Sequence, residues 1–354
     1  MPGPARLHTL DYTRGLAATV IMVHHYLSWW NGTPPDATTP LGRIGVYGVA
    51  LFYVLSGLTM FHVYNDSTRT VRDVGRFFTR RLFRIMPLLW IVTALSLVIV
   101  PREINPGDLV LNLTGLFGFV AWDTYFSAGV WSIGNELVFY AIFPLLVGAA
   151  MISRWALAGL GAALLTAYVL IAYFYLSPWL PMDYQWAMYV NPANQAFLFF
   201  GGFAIGYLLR AVTVRQREAV LLIAVGVAVL LLWPTGFAVP SLVTGTNRIV
   251  LTVACLLICA GAYKLTLRLP AVVDRPLTLL GEASYSIYLI HPLVFFASLS
   301  TVATDWPVGV KIPAAIAATL LLSWACYRFF EAPLTRLGRR LTPRPTEKRP
   351  VPTR

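Results

Sequence analysis

Charge is scarce in this chain. Asp, Glu, Lys and Arg make up 12% of its 354 residues against 58% hydrophobic, and long uncharged runs recur almost to the end, a balance that excludes an ordinary soluble domain. Cysteine is scarce too. Cys255, Cys259 and Cys326 all fall inside apolar runs, which excludes a disulfide framework and leaves them as small packing residues. No Cys, His and Asp cluster has ligand spacing, so no metal site is expected. A cleavable leader is not expected either, because the first apolar run carries Asp11, Arg14, His24 and His25 and lacks a small-residue cleavage site. The one sizeable polar segment, 337–354, is basic and proline-rich and reads as a disordered tail after a membrane domain over 1–336.

What is abundant is apolar sequence of membrane-crossing length. Ten spans are predicted at roughly 10–30, 43–63, 85–101, 130–151, 155–176, 195–210, 219–233, 248–266, 284–303 and 312–330. The apolar stretch 109–121 is too short and reads as an interfacial or re-entrant element. Basic side chains stay on the cytoplasmic side of a membrane. With ten spans and both termini cytoplasmic, only Arg43, Arg102, Arg248 and Lys311 of the 27 basic residues fall outside; an eleventh span at 109–121 would erase that bias. The expected fold is an all-α polytopic bundle of about ten transmembrane helices. The net charge of +12 is then topology, and nucleic-acid binding is not expected.

Ionisable groups inside spans are costly and therefore informative. Arg14 and His25 stand eleven residues apart in the first span, a rotation within about 20° of three full turns, so both project from one helix face. His25 lies roughly 16 Å further along the axis. The fourth span runs inward, which brings Glu136 to a depth like that of His25, and a carboxylate beside an imidazole fixes its tautomer and stabilises its cation. Arg80, Arg81 and Arg84 lead into the third span, with Arg80 and Arg84 on one face suited to clamping phosphates; the competing reading makes all three topology anchors or lipid-headgroup contacts. In the ninth span Ser284, Tyr288 and His291 share a face, with Tyr285 beside them, on the cytoplasmic half of the same interior. His291 reads equally as a donor-binding group or as a hydrogen-bonded residue locking helices. Glu331 reads as an ion-pair partner of Arg328, His24 as a packing residue, and Gly201, Gly202 and Gly206 as a close helix contact. Trp29, Trp30 and Trp179 read as interfacial anchors. Trp122, Tyr125, Phe126, Tyr184 and Trp186, in the outer loops, offer rings on which a sugar or macrocycle could stack.

Five blocks together resemble the acyltransferase-3 family of bacterial membrane O-acyltransferases. Leu10 to Ala17 followed by His25 resembles its opening Arg-x10-His signature, and Gly48 to Gly57 its second-span motif. Phe77 to Pro87 resembles its basic approach to the third span, Trp131 to Glu136 its Trp-Ser-x-x-x-Glu block, and Gly281 to His291 its late Ser-Tyr-x-x-Tyr-x-x-His block. The resemblance runs from residue 7 to about 337. No extracytoplasmic hydrolase-like domain of the kind some members carry is expected.

The resemblance implies transfer of an acyl group, usually acetyl, from coenzyme A to a hydroxyl, most often on a carbohydrate or glycoconjugate, in the bacterial cytoplasmic membrane and with no tightly bound cofactor. The residues suit that chemistry. A hydroxyl needs a base near neutral pH, and His is the side chain matched to the task. His25 is expected to take the acceptor proton, or to carry the acyl group transiently, with Glu136 as orienting or charge-balancing partner. Arg14, with Arg80, Arg81 and Arg84, is expected to grip the donor, and Ser132, Tyr288 and His291 to line its path. The alternative is a transporter or flippase for a lipid-linked sugar, for which ten spans and Gly/Pro-interrupted helices also suffice.

Overall fold

The computed structural model describes residues 7–267, 269–299 and 306–343. These form sixteen helices, with no strand among the described residues. In order they are α1 (His8–Asn31), α2 (Pro40–Tyr64), α3 (Val71–Ile99), α4 (Pro106–Thr114), α5 (Phe117–Val120), α6 (Trp131–Ile152), α7 (Arg154–Leu170), α8 (Met182–Tyr189), α9 (Pro192–Leu209), α10 (Gln216–Leu232), α11 (Val239–Leu242), α12 (Gly245–Lys264), α13 (Ala271–Glu282), α14 (Ser284–Leu299), α15 (Val308–Cys326) and α16 (Ala332–Leu341). A π turn extends α7 over Ile171–Tyr175, and another joins α15 to α16 over Tyr327–Glu331.

Local chemistry sets the boundaries. Thr39 caps α2 by accepting from the Gly42 amide at 3.1 Å, with Pro40 at the first helical position, and Thr70 and Asp73 form a reciprocal capping box on α3. Gly32 ends α1 at φ 71° and Gly115 ends α4 at φ 77°, left-handed conformations that a side chain would resist.

Each of the ten predicted spans overlaps a helix; 300–303, the end of the ninth, lie outside the described residues. Six helices are long and apolar enough to cross a membrane by length and composition, namely α2, α3, α6, α7, α12 and α15 with their extensions, and α13 with α14 makes a seventh if that pair, bent by 68°, counts as one span. Many large apolar side chains face outward, among them Trp155, Leu170, Phe174, Leu321 and Leu322, as lipid contact requires and water would penalise. The 109–121 stretch is not one helix but the short α4 and α5, with Gly118 of α5 seated directly on the backbone of Gly134 in α6. α16 carries the chain in helix through Leu341, past the point where a disordered tail was expected to start; 344–354 lie outside the described residues.

Two glycine contacts fix the frame around the interior. A Cβ on Gly57 of α2 would collide with the Phe199 carbonyl of α9, and one on Gly202 of α9 with the Val54 carbonyl of α2, so these helices meet backbone to backbone. Likewise a Cβ on Gly15 of α1 would sit 2.7 Å from the Gly281 nitrogen of α13. Buried Arg43 and Arg248 are absorbed by the bundle itself. Arg43 donates to the Ala37 and Leu230 carbonyls at 3.1 and 3.3 Å, and Arg248 to those of Val243 and Asn194 at 3.1 and 3.2 Å while lying over the Tyr168 ring. Guanidinium groups so engaged are held by packing, which accounts for two of the four basic residues outside the charge pattern.

Candidate active site

Two cavities meet inside the bundle. The larger encloses about 1470 Å³ at the end where α1 begins and α2 finishes, and its wall includes Asp11, His62, Glu282, Glu331, Arg336 and Arg339. The smaller, about 730 Å³, reaches deeper between α1, α2, α3, α6 and α14. Arg14, Thr59 and Arg84 line both, so the two cavities adjoin at a shared cationic junction.

Arg14 is held at that junction by its neighbours. Its Nη2 donates to Thr59 Oγ1 at 2.9 Å, and its Nη1 lies 3.8 Å from Asp11 Oδ1. On α3 the cavity face is set by Arg81 and Arg84, three residues apart, rather than by Arg80 and Arg84. Arg81 is buried, donates to the Tyr64 hydroxyl at 2.7 Å and lies over the rings of Tyr64 and Tyr140. Arg80 instead reaches Thr342 through its Oγ1 at 2.8 Å and its carbonyl, tying α3 to the end of α16. The expected Arg80 clamp on donor phosphates is thus replaced by a helix tether.

Glu136 faces the smaller cavity, but its partners are not those expected. Ser56 Oγ donates to Glu136 Oε1 at 3.2 Å, and the Tyr140 hydroxyl donates to the same oxygen. The side-chain hydrogen bond of His25 goes elsewhere: its Nδ1 lies 2.8 Å from Nε2 of His291. The two imidazoles are parallel within 9° at a centroid distance of 5.1 Å, and Trp29 stacks on His25 at 4.8 Å. The hydrogen-bonded neighbour of His25 is therefore His291 and not Glu136. Trp29, four residues beyond His25, is a ring neighbour of the pair rather than a simple interfacial anchor, with Phe295 and Phe296 packed beside it.

His291 is fixed from several sides. It is fully buried, its Nδ1 lies 3.1 Å from the Ile287 carbonyl, and its own carbonyl accepts from the Tyr26 hydroxyl at 3.0 Å. Its position beside His25 follows from the bend before α14. α13 packs on α1, so α14 starts already inside the bundle, with Ser284 and Ser286 buried. One turn earlier Tyr288 links the smaller cavity to the histidines. Its hydroxyl accepts from Ser132 Oγ at 3.0 Å and donates to the Gly129 carbonyl at 3.1 Å. Gly129 stands at φ 83°, and a Cβ there would come within 3.2 Å of the Tyr288 hydroxyl, so the loop before α6 needs glycine on both counts.

Glu331 also differs from expectation. It is 4% exposed and accepts from Ser286 Oγ at 2.9 Å, while Arg328 is exposed; the π turn over Tyr327–Glu331 turns the carboxylate inward, onto the wall of the larger cavity. His24 packs as expected, with Nδ1 3.1 Å from the Leu41 carbonyl and its ring filling the space above Gly45. The residues that sequence reasoning did not single out are Ser56, Thr59 and Tyr140. Tyr140 carries a signal, being four residues after Glu136 on the same face; Ser56 and Thr59 carry none beyond being small and polar in an apolar helix. Of the outer-loop aromatics, Tyr125 and Phe126 line a third cavity of about 490 Å³ with Leu293 and Phe296, and Trp186 donates to the Tyr125 hydroxyl at 2.9 Å. Tyr184 stands exposed and Trp122 donates to the Ala187 carbonyl.

Comparison with known proteins agrees with this arrangement of motifs. The exopolysaccharide production protein ExoZ of Rhizobium meliloti is 29% identical over 322 residues, 84% of this chain and 91% of that protein. The putative peptidoglycan O-acetyltransferase YrhL of Bacillus subtilis is 25% identical over 363 residues, and the peptidoglycan O-acetyltransferase OatA of Listeria monocytogenes 24% over 367. The match covers 93% of this chain in both cases but only 55% and 56% of those two longer proteins. No solved structure matches the chain. The profile of the acyltransferase-3 domain spans residues 7–328, from Arg14 and His25 to the last long helix, and the chain belongs to that acyltransferase family.

Proposed function

We propose that this protein is an O-acyltransferase of the bacterial cytoplasmic membrane, moving acetyl from acetyl-CoA to a hydroxyl of a cell-surface carbohydrate or glycoconjugate. The observation that carries the reading is the lining that the two cavities share at Arg14, Thr59 and Arg84. A ten-span topology with both termini cytoplasmic, favoured by the distribution of basic residues, opens the larger cavity to the compartment that holds coenzyme A. Arg84, Arg336 and Arg339 on its wall suit the phosphates of the donor. The narrower cavity beyond the junction suits the slender pantetheine arm, with Arg14 at the threshold.

The chemistry follows from the histidine end. A base removes the acceptor hydroxyl proton as the oxygen attacks the thioester carbonyl carbon; the carbon–sulfur bond breaks, and the proton returns to the departing thiolate. His25 is the base in this reading. Glu136, bonded to Ser56 and Tyr140, balances the positive charge of Arg14, Arg81 and Arg84 around the smaller cavity. The relatives, two of them named as peptidoglycan O-acetyltransferases, favour a glycan acceptor, and the exopolysaccharide protein, matched over most of its length, favours an exported polysaccharide.

The test uses the full chain purified in detergent, labelled acetyl-CoA, and envelope polysaccharide from a strain lacking the gene. Label on the polysaccharide is expected. A detergent preparation holds no gradient, so folded protein that moves no label in this assay overturns the reading and favours transport. Label retained on the enzyme when polysaccharide is left out would move the chemistry to an acyl-His25 intermediate.

A further inference from the structure

His25 has two ring nitrogens, and a base needs one of them bare. Which one is bare is decided by the hydrogen bond the other makes. His291 Nδ1 faces the Ile287 carbonyl at 3.1 Å. A carbonyl can only accept, so that nitrogen carries the proton of the neutral ring. The Tyr288 carbonyl is a second backbone acceptor for the same imidazole; its helical donor is missing because residue 292 is proline. With its proton on Nδ1, neutral His291 presents a lone pair at Nε2, 2.8 Å from His25 Nδ1. That lone pair needs a donor, so His25 must carry its own proton on Nδ1. His25 Nε2 is then unprotonated, and it makes no hydrogen bond to any described residue.

We propose that His291 is the positioning residue of this acyltransferase: it locks His25 in the Nδ1–H tautomer and so reserves Nε2 as the proton acceptor. The proposal rests on the acyl-transfer reading above and adds a specific atom to it. The hydrogen-bond chain runs from His25 Nδ1–H to His291 Nε2 and from His291 Nδ1–H to the Ile287 carbonyl, leaving His25 Nε2 for the reacting hydroxyl. When Nε2 takes the acceptor proton, the imidazolium keeps its Nδ1–H bond to His291, whose lone pair stabilises the charge until the proton passes to the coenzyme A thiolate. No carboxylate is required in that chain, in keeping with Glu136 being bonded elsewhere. Ring geometry enforces the pairing. The imidazoles are parallel within 9°, Trp29 lies parallel to both, and Tyr26 holds the His291 carbonyl from α1 at 3.0 Å.

Two measurements on the purified full chain test it. The first is nitrogen NMR of protein labelled at its five histidines, with His25 and His291 assigned by the loss of their signals in H25Q and H291Q. Both rings are expected to be neutral above pH 8 with the proton on Nδ1; a neutral His25 carrying its proton on Nε2 overturns the proposal. The second compares H291F, which keeps the ring and loses the lone pair, with H291Q, whose amide oxygen replaces Nε2 as acceptor. H291F should lower the transfer rate about 30-fold or more, since orienting the base is a large share of what a base contributes, with the donor KM within about twofold, and H291Q should restore most of the rate. Equal losses in both variants, tracking a lowered melting temperature, would make His291 a structural lock. If wild-type protein transfers no acetyl, the function above falls, and the NMR result still decides the tautomer.

Discussion

The larger cavity and the histidine pair sit in different chemistry. The cavity wall carries Arg14, Arg84, Arg336 and Arg339 with Asp11, Glu282 and Glu331, long charged side chains around some 1470 Å³. Beyond the smaller cavity, whose lining residue Tyr288 neighbours His291, the surroundings are aromatic: His25 and His291 lie among Trp29, Phe295 and Tyr288. A charged ligand is gripped best by fixed opposite charge, while a proton is moved best by a group whose own charge changes. On the proposed function the difference separates donor binding from group transfer, and substitutions at the two places should sort into different kinetic classes.

The largest effect is expected at the histidine pair. His25→Ala should lower acetyl transfer by at least ~100-fold with an unchanged melting temperature and donor affinity, read by labelled-acetyl transfer and acetyl-CoA titration; a folded variant with wild-type activity breaks the comparison. At the junction, Arg14→Ala and Arg84→Glu should raise the donor KM about 10- to 100-fold, the value of a charge-assisted contact, while the acceptor KM holds. Equal changes in both constants would merge the two places into one site. Gly202→Leu acts on the frame instead. It should destabilise by more than about 2 kcal/mol through overpacking at the α2–α9 crossing, visible as a lower melting temperature and poor yield rather than as a KM change. The smallest effect belongs to Arg80→Ala, which should shift stability by about 1 kcal/mol or less and leave the donor KM alone; a donor KM that rises as in Arg84→Glu would extend the cationic end to α16.

Much of the fold was legible because apolar length is a local property. Every predicted span overlaps a helix, and 109–121 proved too short and broken by Gly115 to be one. What stayed hidden was contact between helices. The sequence pattern does not show that α13 folds onto α1 through Gly15 and Gly281 and delivers α14 into the bundle, which is what brings His291 beside His25. A helix face likewise fixes direction but not partner. Arg80 and Arg84 do share a face by spacing, yet α16 arrives to claim Arg80, and only tertiary structure supplies that helix. Glu331 was misread because a π turn shifts phase by one residue, which spacing rules for a regular helix cannot anticipate. Arg14 and His25 were legible because both belong to α1, which carries Arg14 to the cavity junction and His25 to His291.

The cationic junction has one more consequence. A water-accessible path that reaches from one face of a membrane toward the other endangers the ion gradients the cell maintains. Arg14 and Arg84 sit where the two cavities meet, and fixed guanidinium charge at a constriction repels protons and metal cations while admitting anions. If the larger cavity opens to the cytoplasm as proposed, the same two side chains that suit a polyanionic donor also oppose cation leak through the bundle.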